Sequence, residues 1–311
     1  MTAAPCLEDG HGGGTAQWLT TADGVRIRAV LWPSPGARGT VLILPGRTEH
    51  AEKYGPTAAR LATAGYAAAA VDWRGQGLAD RLLPDRRKGH VGRFADYQLD
   101  LAAFRTAVRA AGLPGPLFLM AHSMGGCIGL RGLMQGLDVA AAAFSAPMWG
   151  LKVPGGQTGL FAAAFAGLAG AGLRGRYAPP PASGPVCYLE TGNFTDNTLT
   201  TDRAVWDWMQ GQLRANPEII IAGPTIGWLA EALAEMRALA RLPSPPVPCI
   251  AAVGGHERIV DPGPIIARMG RWPGGDLLRV PGAEHEILME TDALRDRFLS
   301  RATALFDAQP G

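Results

Sequence analysis

The chain has little charge and almost no excess of either sign. Only 18% of its 311 residues are Asp, Glu, Lys or Arg, and 29 basic against 27 acidic side chains leave a net charge of +2. Such a balance offers no electrostatic footprint for nucleic acid. Cysteine is scarce as well. Cys6, Cys127, Cys187 and Cys249 stand far apart, in no Cys-x-x-Cys or other metal-ligand spacing, and read as reduced thiols of a cytoplasmic protein. The chain opens with Glu8, Asp9 and a glycine run, Gly12 to Gly14, instead of a basic start and an apolar stretch, so no secretory signal is expected. No apolar run reaches the roughly 18 residues of a spanning helix. The expectation is a soluble protein.

Cofactor motifs are missing too. His256-Glu257 and His285-Glu286 lack the second histidine of His-Glu-x-x-His, and Gly75-Gln76-Gly77 lacks the third glycine of a dinucleotide fingerprint and any Gly-Lys-Ser. Neither a metal nor an organic cofactor is expected. Arg86-Arg87-Lys88 reads as a solvated loop.

What is present is a large apolar fraction, 47%, cut into short pieces by 42 glycines and 25 prolines. Ala16 to Thr21, Asp23-Gly24 and Val25 to Trp32 spell a hairpin. Buried-type strand runs follow at Thr40 to Leu44, Tyr66 to Val71, Leu117 to Ala121, Val139 to Phe144, Pro248 to Val253 and Leu277 to Val280. Helical stretches alternate with them: Tyr54 to Ala64, Phe94 to Ala111, Met124 to Gln135, Pro264 to Met269 and Asp292 to Phe306. This alternation predicts a mostly parallel sheet with helices on both faces and a site at the carboxyl ends of its strands. The rhythm breaks near Met148 and resumes near Val247, so a core of residues 1–148 and 247–311 is expected to carry an inserted cap at 149–246. Within the cap, the segment Leu160 to Leu173, a loop Arg176 to Pro185 and helices Asp202 to Leu213 and Ile226 to Leu239 are expected.

The chemistry is carried by Phe118-Leu119-Met120-Ala121-His122-Ser123-Met124-Gly125-Gly126, where an apolar strand runs into small residues and then an apolar helix. That is the context of a nucleophile elbow, whose strained turn demands small residues two before and two after the serine; Ala121 and Gly125 meet the demand. An N-cap serine is the plainer alternative. A serine needs a base and an orienting carboxylate, here in the order serine, acid, histidine. His285, between the last strand and the last helix, is the candidate base; His122 is expected to point away from Ser123. For the acid, Glu257 lies directly beyond the strand ending at Val253, whereas Asp261 precedes Pro262 and suits an N-cap. The oxyanion donors are expected to be the amides of Met124 and of Arg47, the latter in the turn Pro45-Gly46-Arg47-Thr48-Glu49-His50.

With these residues in view the chain resembles, from about Trp18 to Phe306, an α/β-hydrolase of the monoacylglycerol lipase and bacterial lysophospholipase group. The resemblance rests on Pro45 to His50 followed by Lys53-Tyr54, on Asp72-Trp73-Arg74-Gly75-Gln76-Gly77-Leu78-Ala79, on the elbow, and on Gly282-Ala283-Glu284-His285-Glu286-Ile287-Leu288. Asn216-Pro217-Glu218, Gly223-Pro224-Thr225, Trp228 and a glutamate at 257 look more like the lysophospholipase branch; Pro45 and Ala79 depart from related patterns. The resemblance implies a serine hydrolase that cleaves an ester of one long acyl chain, a lysophospholipid or monoacylglycerol, through an acyl-enzyme. Its acyl pocket would draw on the cap side chains Trp149, Leu160, Phe161, Phe165, Trp206, Trp208, Met209 and Trp228, with ordinary packing inside the cap as the plainer alternative for any one of them. Leu160 to Leu173 could touch the inner face of a membrane, although it lacks a basic face. An esterase, amidase or aminopeptidase for small substrates, a non-catalytic binding protein, and acyl transfer to another acceptor remain as alternatives.

Overall fold

The computed structural model describes residues 2–7, 13–180 and 184–310. Glu8, Asp9, Gly12 and part of the expected loop Arg176 to Pro185 lie outside them. The strands are β1 (Thr2–Ala3), β2 (Thr15–Thr20), β3 (Arg26–Trp32), β4 (Thr40–Leu44), β5 (Ala67–Asp72), β6 (Leu117–His122), β7 (Ala142–Ser145), β8 (Cys249–Gly254) and β9 (Gly275–Val280). They form one sheet in the order β1-β2-β3-β5-β4-β6-β7-β8-β9. The first three strands join antiparallel, and every pairing from β5 to β9 is parallel. The expected mostly parallel sheet is therefore present, entered through the expected hairpin.

β4, β5, β6, β7 and β8 are buried along their whole length. Their near-continuous apolar runs follow from that, because helices cover both faces. Alternate residues serve opposite layers. Leu42, Leu44, Leu119 and Phe144 pack with α2 (Tyr97–Ala110), α3 (Met124–Met134) and α8 (Pro262–Met269). Val41, Ile43, Phe118 and Met120 pack with α1 (Gly55–Thr63) and α9 (Asp292–Asp307) on the other side. Phe298 of α9 is fully buried there; its truncation to alanine is expected to cost about 3–5 kcal/mol.

β7 and β8 are hydrogen-bonded neighbours, so the long segment between them is an excursion from the carboxyl end of the sheet. It holds α4 (Thr158–Leu168), a wider helical turn at Ala169–Leu173, and three further helices, α5 (Tyr188–Thr191), α6 (Arg203–Ala215) and α7 (Ile226–Ala240). Gly172, with φ 83°, ends the α4 stretch. Asp202 precedes α6 instead of opening it, and its carboxylate accepts the amides of Ala204 and Val205 as a helix cap. The short α5 has no strong periodicity and escaped the sequence reading. α8 starts two residues before the expected Pro264, because Asp261 accepts the Gly263 amide and Pro262 suits the first helical position. Among the described residues no helix is long and apolar enough to cross a membrane.

Candidate active site

Ser123 stands alone between the end of β6 and the start of α3, with φ 47° and ψ −116°. A non-glycine residue in that region is strained and persists only where its surroundings hold it. The surroundings do so: the Ser123 amide donates to the Ser145 carbonyl at 3.1 Å, and its carbonyl accepts the amides of Gly126 at 2.9 Å and Met148 at 2.8 Å. The small residues have the predicted reason. A Cβ on Gly125 would stand 2.1 Å from the Leu44 carbonyl oxygen, and Ala121 is fully buried between strands.

His285 lies in the loop after β9. That loop is tied to the β7–β8 excursion by the amides of His285 and Glu286, which donate to the carbonyls of Thr198 at 3.2 Å and Leu199 at 2.8 Å. His285 Nε2 is 3.0 Å from Ser123 Oγ, and Nδ1 is 2.7 Å from Glu257 Oε2. A carboxylate can only accept, so Nδ1 carries the proton and Nε2 is left to accept from the serine hydroxyl. The other Glu257 oxygen accepts the amides of Ile259 at 2.7 Å and Val260 at 3.0 Å. Burial alone would raise the Glu257 carboxyl; the His285 hydrogen bond and these two amides outweigh it and hold the carboxyl below its ordinary value. Asp261, the other acid considered, caps α8. The structure thus brings Ser123, His285 and Glu257 together.

The turn after β4 abuts the serine. A Cβ on Gly46 would lie 3.2 Å from the Ser123 Cβ. The turn is held at four backbone groups: the Gly46 amide donates to Glu49, the Thr48 amide to Gln76 Oε1 at 2.8 Å, and the carbonyls of Pro45 and Gly46 accept from Trp73 and Gln76. Between these two committed amides, that of Arg47 donates to no acceptor among the described residues. Met124 opens α3, and the first amides of a helix have no intrahelical acceptor.

Beside these residues is a buried ionic cluster that the sequence reading did not assign to the site. Lys53 Nζ donates to Glu49 Oε1 and to Glu286 Oε2, each at 2.7 Å, and the Tyr54 hydroxyl donates to the other Glu49 oxygen at 2.7 Å. Burial opposes charge on Glu49, but the Lys53 ammonium overrides it and draws the carboxyl down to about 2. Burial together with the Glu49 charge raises Glu286, which makes it the carboxyl of the pair that takes a proton more readily. Glu49, His122 and Glu286 present ligand atoms within 4.8 Å of one another, but Lys53 already supplies the cation of that group. His122 corrects an expectation. Its ring centroid lies 4.8 Å from that of His285, because the turn at Ser123 breaks the strand alternation that would have pointed it away. The spacing of Glu49 and Lys53, four apart in the sequence, was the visible signal for this cluster.

A cavity of about 450 Å³ opens over Ser123 and His285. Of the expected pocket residues, Met209 and Trp228 line it. Trp149, Phe161, Phe165 and Trp206 do not, nor do Leu160 and Trp208. Trp149 stacks on Trp272 and donates its indole N–H to the Gly126 carbonyl at 3.1 Å. Phe161 and Phe165 pack on each other at 4.7 Å, and Trp206 is buried against Tyr188 and Phe194. Large rings bury most area against one another, which draws them into local cores. The apolar wall comes instead from Met148, Leu151, Leu199, Leu213, Leu229 and Ile259. Met148, Leu151, Leu199 and Ile259 lie in irregular segments with no periodic signal, and Leu213 and Leu229, on α6 and α7, do not stand out from the other apolar positions of those helices.

Residues 35–292 match the family model described as serine aminopeptidase, S33. The chain belongs to this hydrolase family. Lysophospholipase L2 of Escherichia coli K12 is 33% identical to it over 307 residues, covering 93% of this chain and 86% of that protein. The probable lysophospholipase L2 of Haemophilus influenzae is 26% identical over 297 residues, with 94% and 92% covered. Among solved structures, a soluble variant of monoglyceride lipase from Saccharomyces cerevisiae matches with a TM-score of 0.74 and 21% identity over the whole of both chains. A carboxyl esterase from Bacillus coagulans matches with a TM-score of 0.75 and 16% identity over 96% of this chain and 99% of that one. The fold is the α/β-hydrolase fold, as the sequence motifs implied.

Proposed function

We propose that this hydrolase cleaves the ester of a single long acyl chain, from a lysophospholipid or a monoacylglycerol, through an acyl-enzyme. The observation that carries this reading is the unbroken line of hydrogen bonds from Ser123 Oγ through His285 to Glu257, set in the wall of a largely apolar cavity. In this reading Ser123 Oγ attacks the ester carbonyl while its proton passes to His285 Nε2. Glu257 holds the imidazole tautomer and stabilises the imidazolium. The amides of Arg47 and Met124 hold the oxyanion. The imidazolium then protonates the leaving glycerol oxygen, and a water deprotonated by the same imidazole releases the fatty acid and restores the serine.

Residues 149–246 act as a cap, and the aliphatic wall of the cavity takes the acyl chain. The curated relatives bear the name lysophospholipase, which favours that substrate. The family description names an aminopeptidase. That activity needs a carboxylate free to meet a substrate ammonium, and the two glutamates lining the cavity, Glu49 and Glu286, are both engaged by Lys53. The exposed side of α4 is apolar, with Leu160 at 68% exposure; we assign it to peripheral contact with a lipid surface. The free cysteines suit the cytoplasmic side.

The test is a panel of lysophosphatidylcholines, monoacylglycerols of rising chain length and aminoacyl amides, with Ser123→Ala as control. Acyl esters should turn over fastest with a chain-length optimum, and the variant should lose about 10⁶ in kcat while keeping its fold. Faster turnover of aminoacyl amides, or an active Ser123→Ala protein, would overturn the reading.

A further inference from the structure

Arg47 is a cation without an anion among the described residues. Its Nη2 donates to the Ala222 carbonyl at 2.9 Å, and the guanidinium carbon lies 5.0 Å from the Trp228 ring centroid. That is its one hydrogen bond among the described residues, its Nε being buried with no acceptor, although a guanidinium carries several donors. Arg268 is also buried without a carboxylate, but it donates to the Leu239 carbonyl and the Ser244 hydroxyl and lies outside the cavity, and the other buried arginines are paired. Arg28 pairs with Asp72 and Glu52, and Arg74 with Asp23 and Asp100. No carboxylate pairs with Arg47 among the described residues, and it lines the cavity above Ser123. Desolvation pulls its pKa down to about 10, which still leaves it charged at neutral pH.

Leaving a half-buried guanidinium, its Nε wholly buried, without an anion is costly, so its place in the cavity wall points to a ligand that completes it. Nothing else in the cavity can: Glu49 and Glu286 are bound by Lys53. The position is informative as well. The same residue offers its amide beside Ser123 and its guanidinium against Ala222 and Trp228, so an anion separated from the ester by a short polar linker would reach both. A monoacylglycerol carries no such anion. A lysophospholipid carries a phosphodiester one glycerol away from its ester.

We propose that the Arg47 side chain binds the phosphodiester of a lysophospholipid headgroup and so sets the preference of this site for phosphate-bearing over neutral acyl glycerols. The inference rests on the reading of the site as a long-chain acyl esterase. A planar guanidinium held on an indole face matches phosphate oxygens in pairs, which a lysine does less well.

The experiment compares kcat and KM for 1-oleoyl lysophosphatidylcholine and 1-oleoylglycerol in the wild type, Arg47→Met and Arg47→Lys. The expected result is that Arg47→Met raises KM for the lysophospholipid and lowers the ratio of the two kcat/KM values by about 10- to 100-fold, the value of a charge-assisted hydrogen bond. Arg47→Lys should recover part of that ratio. Inorganic phosphate should not inhibit oleoylglycerol turnover by the wild type; inhibition that Arg47→Met abolishes would assign the subsite to a free anion and overturn the headgroup assignment. Equal losses on both substrates in Arg47→Met would also overturn it, since they would reflect a disturbed oxyanion loop. If the wild type cleaves neither substrate, the esterase reading falls and this inference with it. A thermal melt checks that Arg47→Met folds, which is expected because the change removes a half-buried charge that no carboxylate pairs with among the described residues.

Discussion

The imidazoles of His122 and His285 face each other with ring centroids 4.8 Å apart, yet they are held in opposite circumstances. His285 is bonded to a carboxylate through Nδ1. His122 donates its Nδ1–H to the Ser145 carbonyl at 3.0 Å, and burial, reinforced by His285 and Lys53, lowers its pKa to about 4. It therefore stays neutral at working pH. In the proposed mechanism, a neutral neighbour places no opposing charge beside His285 as that ring takes the Ser123 proton.

Acid stability follows from the same burial. His122 and His50 are each lowered to about 4, chiefly by desolvation. Between their ordinary value of about 6.5 and 4, the unfolded chain binds protons that the folded one refuses, so their contribution is fully present above about pH 6.5 and is lost as the pH falls towards 4. Each should account for about 3 kcal/mol across that window. Urea unfolding from pH 8 to 4 should show the decline, and His122→Gln should flatten it; identical slopes in both proteins would refute the assignment.

Glu257→Gln keeps an oxygen for the amides of Ile259 and Val260 but can no longer fix the His285 tautomer. A loss of about 10⁴ in kcat with an unchanged melting temperature is expected. Activity within tenfold of the wild type would mean that another group orients the imidazole.

Lys53→Met leaves Glu49 and Glu286 facing each other without their shared cation. Removing one partner from a buried ion cluster costs about 3–5 kcal/mol. Adding Glu286→Gln to Lys53→Met should return part of that loss. Thermal or denaturant melts of the three proteins measure it, and a single variant as stable as the wild type would show that the cluster contributes nothing.

Leu160 is exposed on α4 and is absent from the cavity wall, so its substitution separates membrane contact from catalysis. Leu160→Lys should weaken binding to phosphatidylcholine vesicles by about tenfold, the value of burying one leucine side chain. Hydrolysis of a short, water-soluble ester should not change. Equal vesicle binding by both proteins would remove α4 from the interface.

Much of the core was legible because its signals are local. Short apolar runs such as Thr40–Leu44 and Cys249–Gly254 announce strands covered on both faces, and glycine and proline mark where they stop. The elbow is legible for a steric reason: only small residues can stand where a Cβ at 125 would meet the Leu44 carbonyl at 2.1 Å. The segment between β7 and β8 was harder. Its aromatics Trp149, Phe161, Phe165 and Trp206 look like pocket residues in sequence, but whether a ring faces a cavity or a neighbouring helix depends on packing between helices far apart in the chain.

What the sequence alone determined is the order of strands and helices, the strained serine turn, and which histidine and carboxylates could follow it. Backbone sterics and hydrophobic periodicity act over a few residues, and a sequence displays them directly. What only the tertiary structure decided is the meeting of Ser123, His285 and Glu257 across loops from three strands, the turning of His122 toward His285, the Glu49–Lys53–Glu286 cluster, and the unpaired guanidinium of Arg47 in the cavity wall. Those depend on distances across the fold, set by how the sheet twists and how the segment between β7 and β8 packs on it, and burial then fixes the charge each group carries.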